Sequence, residues 1–361
     1  MNANVKKGIV VWLLIWEGAF IHTFSQEFLW KAGIYNFLEN NEFAQSKVQI
    51  PQTMSGVHLT PEIGMKWDEI HRIVAGFDAM HEYGSNKFAD YFNPIAYYEL
   101  AGKSFRFYMG AFPRKSTLAK YPRIFFQDSI HNYRPTVQGI FWEYASHGDY
   151  FNVWLDWINR QTESKREAFF VGWSGRYNMN LFYGQHFGYM FHFANVKNPK
   201  IPRSLHDHIL IWTSLGVDLS TKTHFERLEA NIGWIAGMER DRSIGEWICP
   251  QGLLSEIKVG YKGLELFNTF YKGQSQQIFR NTLGNELYWG DPIYRTRAYD
   301  RLDLSVWFYR SNVVNLKMTW AVHFTEKTQY HSQLFSATFD FDNLKKKEQK
   351  KYPYIRDNRL K

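Results

Sequence analysis

The sequence predicts an all-β chain: a transmembrane, antiparallel, up-and-down β-barrel of about sixteen strands (roughly 14–18). Three observations predict it. Apolar and polar residues alternate with period two along segment after segment, as strands do and helices do not. Short and long connections take turns between those segments, as expected of a barrel with tight turns at one end and loops at the other. The 361 residues are 18% aromatic and only 22% charged. A mean hydropathy of −0.43 excludes a bundle of apolar helices, but suits a barrel whose inward residues are polar.

Residues 1–25 read as a secretory signal, with Lys6 and Lys7 before the apolar run Gly8–Trp16. Thr23 and Ser25 place small residues before a cleavage at Gln26, and the apolar run is too short to span a bilayer. Strands are expected at 28–40, 54–67, 70–82, 90–101, 103–115, 135–147, 149–161, 165–177, 180–195, 206–219, 223–238, 247–261, 263–273, 301–310, 312–325 and 330–341. Most reach the ~9–11 residues that a tilted spanning strand needs. No Pro-, Gly- or Ser-rich linker divides 26–341, so it reads as one barrel domain. The stretch 342–361 is a basic tail, read as a solvated extension or a contact for an acidic partner, anionic lipid or the cell wall. The tail holds eight Lys or Arg against three acids, and the leader two Lys against one Glu, so of the formal +8 only +2 belongs to 27–341. The basic isoelectric point is therefore no sign of nucleic-acid binding. The single Cys249 excludes an intrachain disulfide.

Faces follow from the alternation. Phe105, Phe107 and Met109, or Val314, Leu316, Met318, Trp320, Val322 and Phe324, are expected to face lipid. Arg106, Arg114, Asn315, Lys317 and His323 are expected to face the lumen. Between Lys165 and Asn195 the alternation puts Phe169, Val171 and Trp173 outward and Arg176 inward. It suggests in turn that Tyr183, Phe187, Tyr189, Phe191 and Phe193 meet lipid, while Gly184, His186, Gly188 and His192 line the lumen. Pro61 and Pro94 fall inside strands, where bulges or strand ends are expected because proline cannot donate to a ladder.

Several phrases resemble porin-like outer-membrane barrels of Bacteroidetes-type Gram-negative bacteria: WKAGIYNFLENNEF, LTPEIGMKW and FRFYMGAFPRK. The segment YHSQLFSATFDF resembles their C-terminal insertion signal, with Phe335, Phe339 and Phe341 as its aromatic face. The chain departs from the pattern by continuing past that final aromatic. The resemblance implies an outer-membrane location, and the even strand count puts both termini on the periplasmic side. It also implies contact with outer-membrane lipid and the barrel-insertion machinery.

Charge inside the lumen is the chemistry the sequence offers. Arg72, Asp78, Glu82, Arg106, Arg114, Glu143, Asp156, Arg176, Asp218, Arg227, Glu229, Glu256, Lys258 and Lys317 all fall on inward positions. They could filter small polar or charged solutes through a wet lumen, or pair with one another and fill a closed one. The aromatic, Arg-bearing loops 116–134 and 274–300 could fold inward as a constriction or cap the outside. Ser204, His206, Asp207 and His208 are the one local cluster with hydrolase-type chemistry, but no nucleophile motif surrounds them. His206 and His208 could bind a metal only with a third ligand, so neither a metal nor any cofactor is expected. The expectation is a porin-like passage rather than an enzyme. The alternatives are a non-conducting subunit of an outer-membrane assembly or uptake complex with a protein partner and, behind it, a barrel-borne hydrolase.

Overall fold

A computed structural model describes residues 26–198, 204–326 and 328–343. The expected leader, 1–25, and nearly all of the basic tail, 344–361, lie outside the described residues. Sixteen strands follow one another: β1 (Glu27–Glu42), β2 (Gln52–Trp67), β3 (His71–Glu82), β4 (Tyr91–Ala101), β5 (Phe105–Pro113), β6 (Thr136–Ser146), β7 (Asp149–Asn159) and β8 (Ala168–Met179), then β9 (Phe182–Phe193), β10 (His206–Asp218), β11 (Arg227–Asp241), β12 (Gln251–Tyr261), β13 (Leu264–Gly273), β14 (Ala298–Arg310), β15 (Val314–Thr325) and β16 (Gln329–Asp342). Each pairs antiparallel with its sequence neighbours, and β1 closes the ring on β16, from Lys31↔Asp342 to Glu42↔His331. Closure satisfies every edge internally, which is what a sheet in lipid requires.

Both described termini and the short hairpins share one end, the turn end. At His147-Gly148 and Lys262-Gly263 both turn residues have positive φ, the geometry whose twist matches a two-residue hairpin. The longer connections form the loop end. The outer wall carries exposed Trp30, Ile63, Ile73, Met109, Val153, Ile232, Trp234, Met318, Trp320 and Phe324, an apolar belt that only lipid would cover.

Three expectations need correction. The aromatic face of β9 points inward. Tyr183, Phe187, Tyr189, Phe191 and Phe193 are buried in the barrel interior, which puts His186, Gly188 and His192 on the outer wall. The hairpin turns at Asn180, so Arg176 opposes Gln185, and directly opposed residues share a face. Gly188 then leaves room outside for the Trp173 indole, which a Cβ there would meet at 2.5 Å. The prolines are neither bulges nor strand ends. Pro61 pairs with Ala32 of β1, but the β2–β3 ladder lapses beside it; Pro94 pairs with Phe77, but the β4–β5 ladder starts only at Ala96. Finally, β14 begins at Ala298, which shortens the preceding loop to 274–297.

Candidate functional site

Two long loops fold into the barrel and fill the loop-end half of its lumen. The first, 114–135, brings Tyr121, Phe125 and Phe126 against Trp154, Phe170, Phe187 and Tyr189. The second, 274–297, brings Tyr288, Trp289 and Tyr294 into the same cluster. The loops hold each other: Gln127 N donates to Trp289 O at 2.8 Å, and Asp291 N to Arg123 O at 2.9 Å. Gly290 lies so near the Ile124 carbonyl oxygen that a Cβ would sit 1.9 Å from it. Each loop is also pinned to the wall. The Arg114 guanidinium donates to Asp156 at 2.5 Å, to Arg134 O at 2.7 Å and to Thr136 O at 2.9 Å. Tyr133 donates to Glu82 at 2.6 Å. Glu239, fully buried, accepts from Gln277 N and Ile278 N, both at 3.0 Å, and from the Tyr288 hydroxyl. Three predicted lumen residues, Glu82, Arg114 and Asp156, therefore act as anchors of the first loop.

The other predicted lumen residues line a cavity of about 1270 Å³ in the turn-end half, closed above by the first loop. They stand as ion pairs, each acid beside its base. Arg72 meets Glu99 at 3.2 Å, Arg106 meets Glu143 at 3.4 Å, and Arg176 meets Asp218 at 3.5 Å and Glu229 at 3.7 Å. Arg227 meets Glu229 at 3.3 Å, Lys258 meets Glu256 at 2.9 Å, and Lys317 meets Glu265 at 2.9 Å. Asp78 holds His58 at 2.8 Å. Sequence reading missed Lys31–Glu62, at 2.7 Å, although Lys31↔Glu62 is an opposed pair that strand alignment could have found. Pairs of opposite charge alternating around the wall cancel locally, so these residues pair with one another, as the sequence allowed.

The first loop also carries a pH dependence. Burial, with the Lys115 and Arg114 charges, drives the His131 pKa down to about 3, so its native form is neutral. Burial opposes ionisation of Asp128, but Arg123 and Arg301 outweigh it and hold the carboxyl well below the usual range. A depressed pKa stabilises the fold above the unfolded value and loses that contribution as pH falls. Both groups therefore loosen the loop in acid, His131 starting below about 6.5. Trypsin cleavage within 114–135 of the folded barrel should be slow at about pH 7.5 and clearly faster after a pulse at about pH 4.5, with the strands intact.

The third constellation is the loop-end rim of β9–β11. On its outer surface the Asp207 carboxylate accepts from Arg242 Nε and Nη2, both at 2.8 Å, and from Arg240 Nη2 at 2.7 Å. His192 Nδ1, on the neighbouring strand, lies 3.5 Å from the same carboxylate, and the Arg240 guanidinium covers Trp247 at 4.4 Å. Charges at lipid midplane cost ~2–4 kcal/mol but almost nothing at the interface, so this cluster belongs at headgroup depth. One residue away, facing inward, His206 Nε2 lies 3.3 Å from Asp241, and Ser204 donates to the same carboxylate. His208 is shut behind Tyr189 and Tyr288. Sequence reading found His206, Asp207 and His208 but missed Arg240 and Arg242. It also placed His192 on the wrong face. Among the described residues no three His, Cys, Asp or Glu side chains converge as a metal set.

A closed sixteen-strand barrel with an apolar outer belt and a lumen lined by charged pairs at one end defines an outer-membrane-type β-barrel. Within that class the chain belongs to the lipid A 3'-O-deacylase-type family, whose model matches residues 23–348. That membership overturns the expectation that the chain is no enzyme, because the family is named for an enzymatic activity. No curated protein sequence matches. Among solved structures, the loop L8 deletion mutant of OmpT, an outer membrane protein of Vibrio cholerae, superposes with a TM-score of 0.55 at 6% identity, covering 88% of this chain and 99% of that one. An anion-selective porin from Comamonas acidovorans gives 0.50 at 11%, covering 88% and 99%. OccK9 (OpdG) of Pseudomonas aeruginosa gives 0.51 at 11%, covering 88% and 98%. At such identities the likeness is one of fold.

Proposed function

We propose that this barrel is an acyl-ester hydrolase acting on a lipid-A-type glycolipid, with its chemistry on the outer rim of β9–β11. The observation that carries this reading is the His192–Asp207–Arg240–Arg242 cluster on an otherwise apolar, lipid-facing wall. A lipid ester can reach that wall without entering the lumen. Asp207 orients the His192 imidazole, and the free ring nitrogen takes a proton from water as the water oxygen attacks the ester carbonyl. The resulting imidazolium returns that proton to the departing sugar alkoxide as the carbon–oxygen bond breaks. A guanidinium beside it is suited to the carbonyl oxyanion or to a glycolipid phosphate. The 3.5 Å His–Asp separation is within the looseness common before substrate binds. In this reading the loop end faces outward, the termini face the periplasm, and the envelope is Gram-negative, as the Bacteroidetes-like phrases suggest. The outward aromatics Phe335, Phe339 and Phe341 would serve insertion.

The test is release of free fatty acid from lipid A vesicles by the refolded barrel, followed by mass spectrometry. His192→Gln and Asp207→Ala should each lower the rate about 10²-fold, the usual worth of a positioned acid–base group. Both should leave the heat-dependent gel shift of the folded barrel unchanged. No acyl release by the unaltered protein would remove this reading. Passive passage is the second reading, favoured by the polar turn-end cavity and by porins being among the fold relatives. It requires the inward loops to move.

A further inference from the structure

We propose that the blind turn-end cavity binds a small organic acid bearing one carboxylate, with Lys115 as its anchoring cation. Hairpin-turn residues such as Gly148, Asn180 and Thr221 line one end of the cavity, so a ligand enters from the turn end and stops at the first inward loop. Its volume, about 1270 Å³, exceeds the ~300–1,000 Å³ typical of small-molecule pockets. The wall charges satisfy one another. Lys115 differs: it projects into the closed end, and no ion pair or hydrogen bond holds its ammonium among the described residues. The ammonium stands 3.4 Å from the centre of the Tyr35 ring. The His58 ring packs on the same tyrosine at 5.7 Å. His58 is buried, its Nδ1 is engaged by Asp78, and its Nε2 has no partner among the described residues. That nitrogen is sealed from the cavity, so Lys115 is the group on this ring that a ligand can reach. Enclosure within the barrel lowers the Lys115 pKa to about 8 even though the side chain is exposed to the cavity, a cost to its charge that a bound anion would offset.

The charge of the ligand follows from the surroundings. Asp78 and Asp340 act electrostatically on Lys115, and so does the Lys31 cation, so charges of both signs stand at the site. A monoanion meets less repulsion from the two carboxylates than a dianion such as phosphate does. The apolar part of the lining, Tyr97 and Leu266 among it, favours a carboxylate carried on an apolar or aromatic body.

The experiment is competitive acetylation of the folded full chain in detergent micelles, read at Lys115 by mass spectrometry. Benzoate is the probe, benzamide its uncharged control and inorganic phosphate the dianion. Benzoate should slow Lys115 acetylation at least about fivefold while leaving Lys103 unaffected, and benzamide and phosphate should do far less. Calorimetric titration with benzoate should lose its heat in Lys115→Met and keep it in Lys115→Arg. Equal protection by benzamide, stronger protection by phosphate, or none at about 100 mM benzoate (roughly the weakest affinity of interest, ~1–2 kcal/mol) would overturn the proposal. So would unchanged binding in Lys115→Met. The labelling arm uses the unaltered protein and stands even if that variant fails to fold.

Discussion

Glu239→Ala should convert a silent barrel into a conducting one. In the native protein the loop-end half of the lumen is packed with aromatic side chains from two loops, so planar-bilayer recordings should show no steady steps. The second loop is held at its base by one carboxylate that accepts from two backbone amides and a phenol. Alanine removes all three acceptor contacts at once and leaves the donors buried. At ~1–3 kcal/mol for each of the three unsatisfied groups, the loop loses roughly 3–9 kcal/mol of docking energy. That is enough to shift it from docked to mostly free, because ~5.5 kcal/mol carries a two-state equilibrium from about 1:99 to 99:1. Steady conductance steps and new protease cleavage within 274–297 are the expected results, with the strand content unchanged. Glu239→Gln, which keeps an acceptor oxygen, should fall between the two. A variant that is equally silent and equally protected would show that Glu239 does not hold the loop.

Most of the strand frame was legible in the sequence because period-two alternation and hairpin spacing are local signals. All sixteen strands lie where alternation placed them, with ends shifted by a few residues. The lumen side of Arg106, Asp156 or Lys317 was legible too, since a charge on a lipid face is costly enough to set register. What failed was the inference that an aromatic face must meet lipid. In β9 the aromatic face meets two loops that come from roughly 50 or more residues away in either direction, a tertiary fact that no local pattern carries. The opposing signal was nonetheless local: Arg176 points inward, and a two-residue turn forces Gln185, and with it Phe187 and Tyr189, to the same side. The rim cluster was half-legible for a related reason. Asp207 sits between two inward histidines, so it had to point outward, but its partners Arg240 and Arg242 come from the far side of a hairpin.

The buried pair Arg114–Asp156 should show the opposite pattern from a surface ion pair, with single changes costing far more than the double one. Arg114→Met leaves the Asp156 carboxyl buried without its cation and strips donors from two backbone carbonyls at the C-terminal end of the first loop. Asp156→Leu leaves a buried guanidinium, with the Gln138 amide also losing its acceptor. Breaking a buried pair one side at a time typically costs ~3–5 kcal/mol, because the surviving charge has nowhere to go. Replacing both by apolar groups of similar size removes that penalty. The introduced methionine would still have Trp289 to pack on, where the Arg114 guanidinium now lies 5.2 Å from the ring centre. The double variant, Arg114→Met with Asp156→Leu, should therefore retain most of the native stability, with a coupling of at least about 2 kcal/mol in a urea-unfolding cycle in lipid vesicles. Additive losses would mean that the two side chains anchor the loop independently. In that case the contacts of Arg114 with Arg134 O and Thr136 O, rather than its charge, hold the first loop in the lumen.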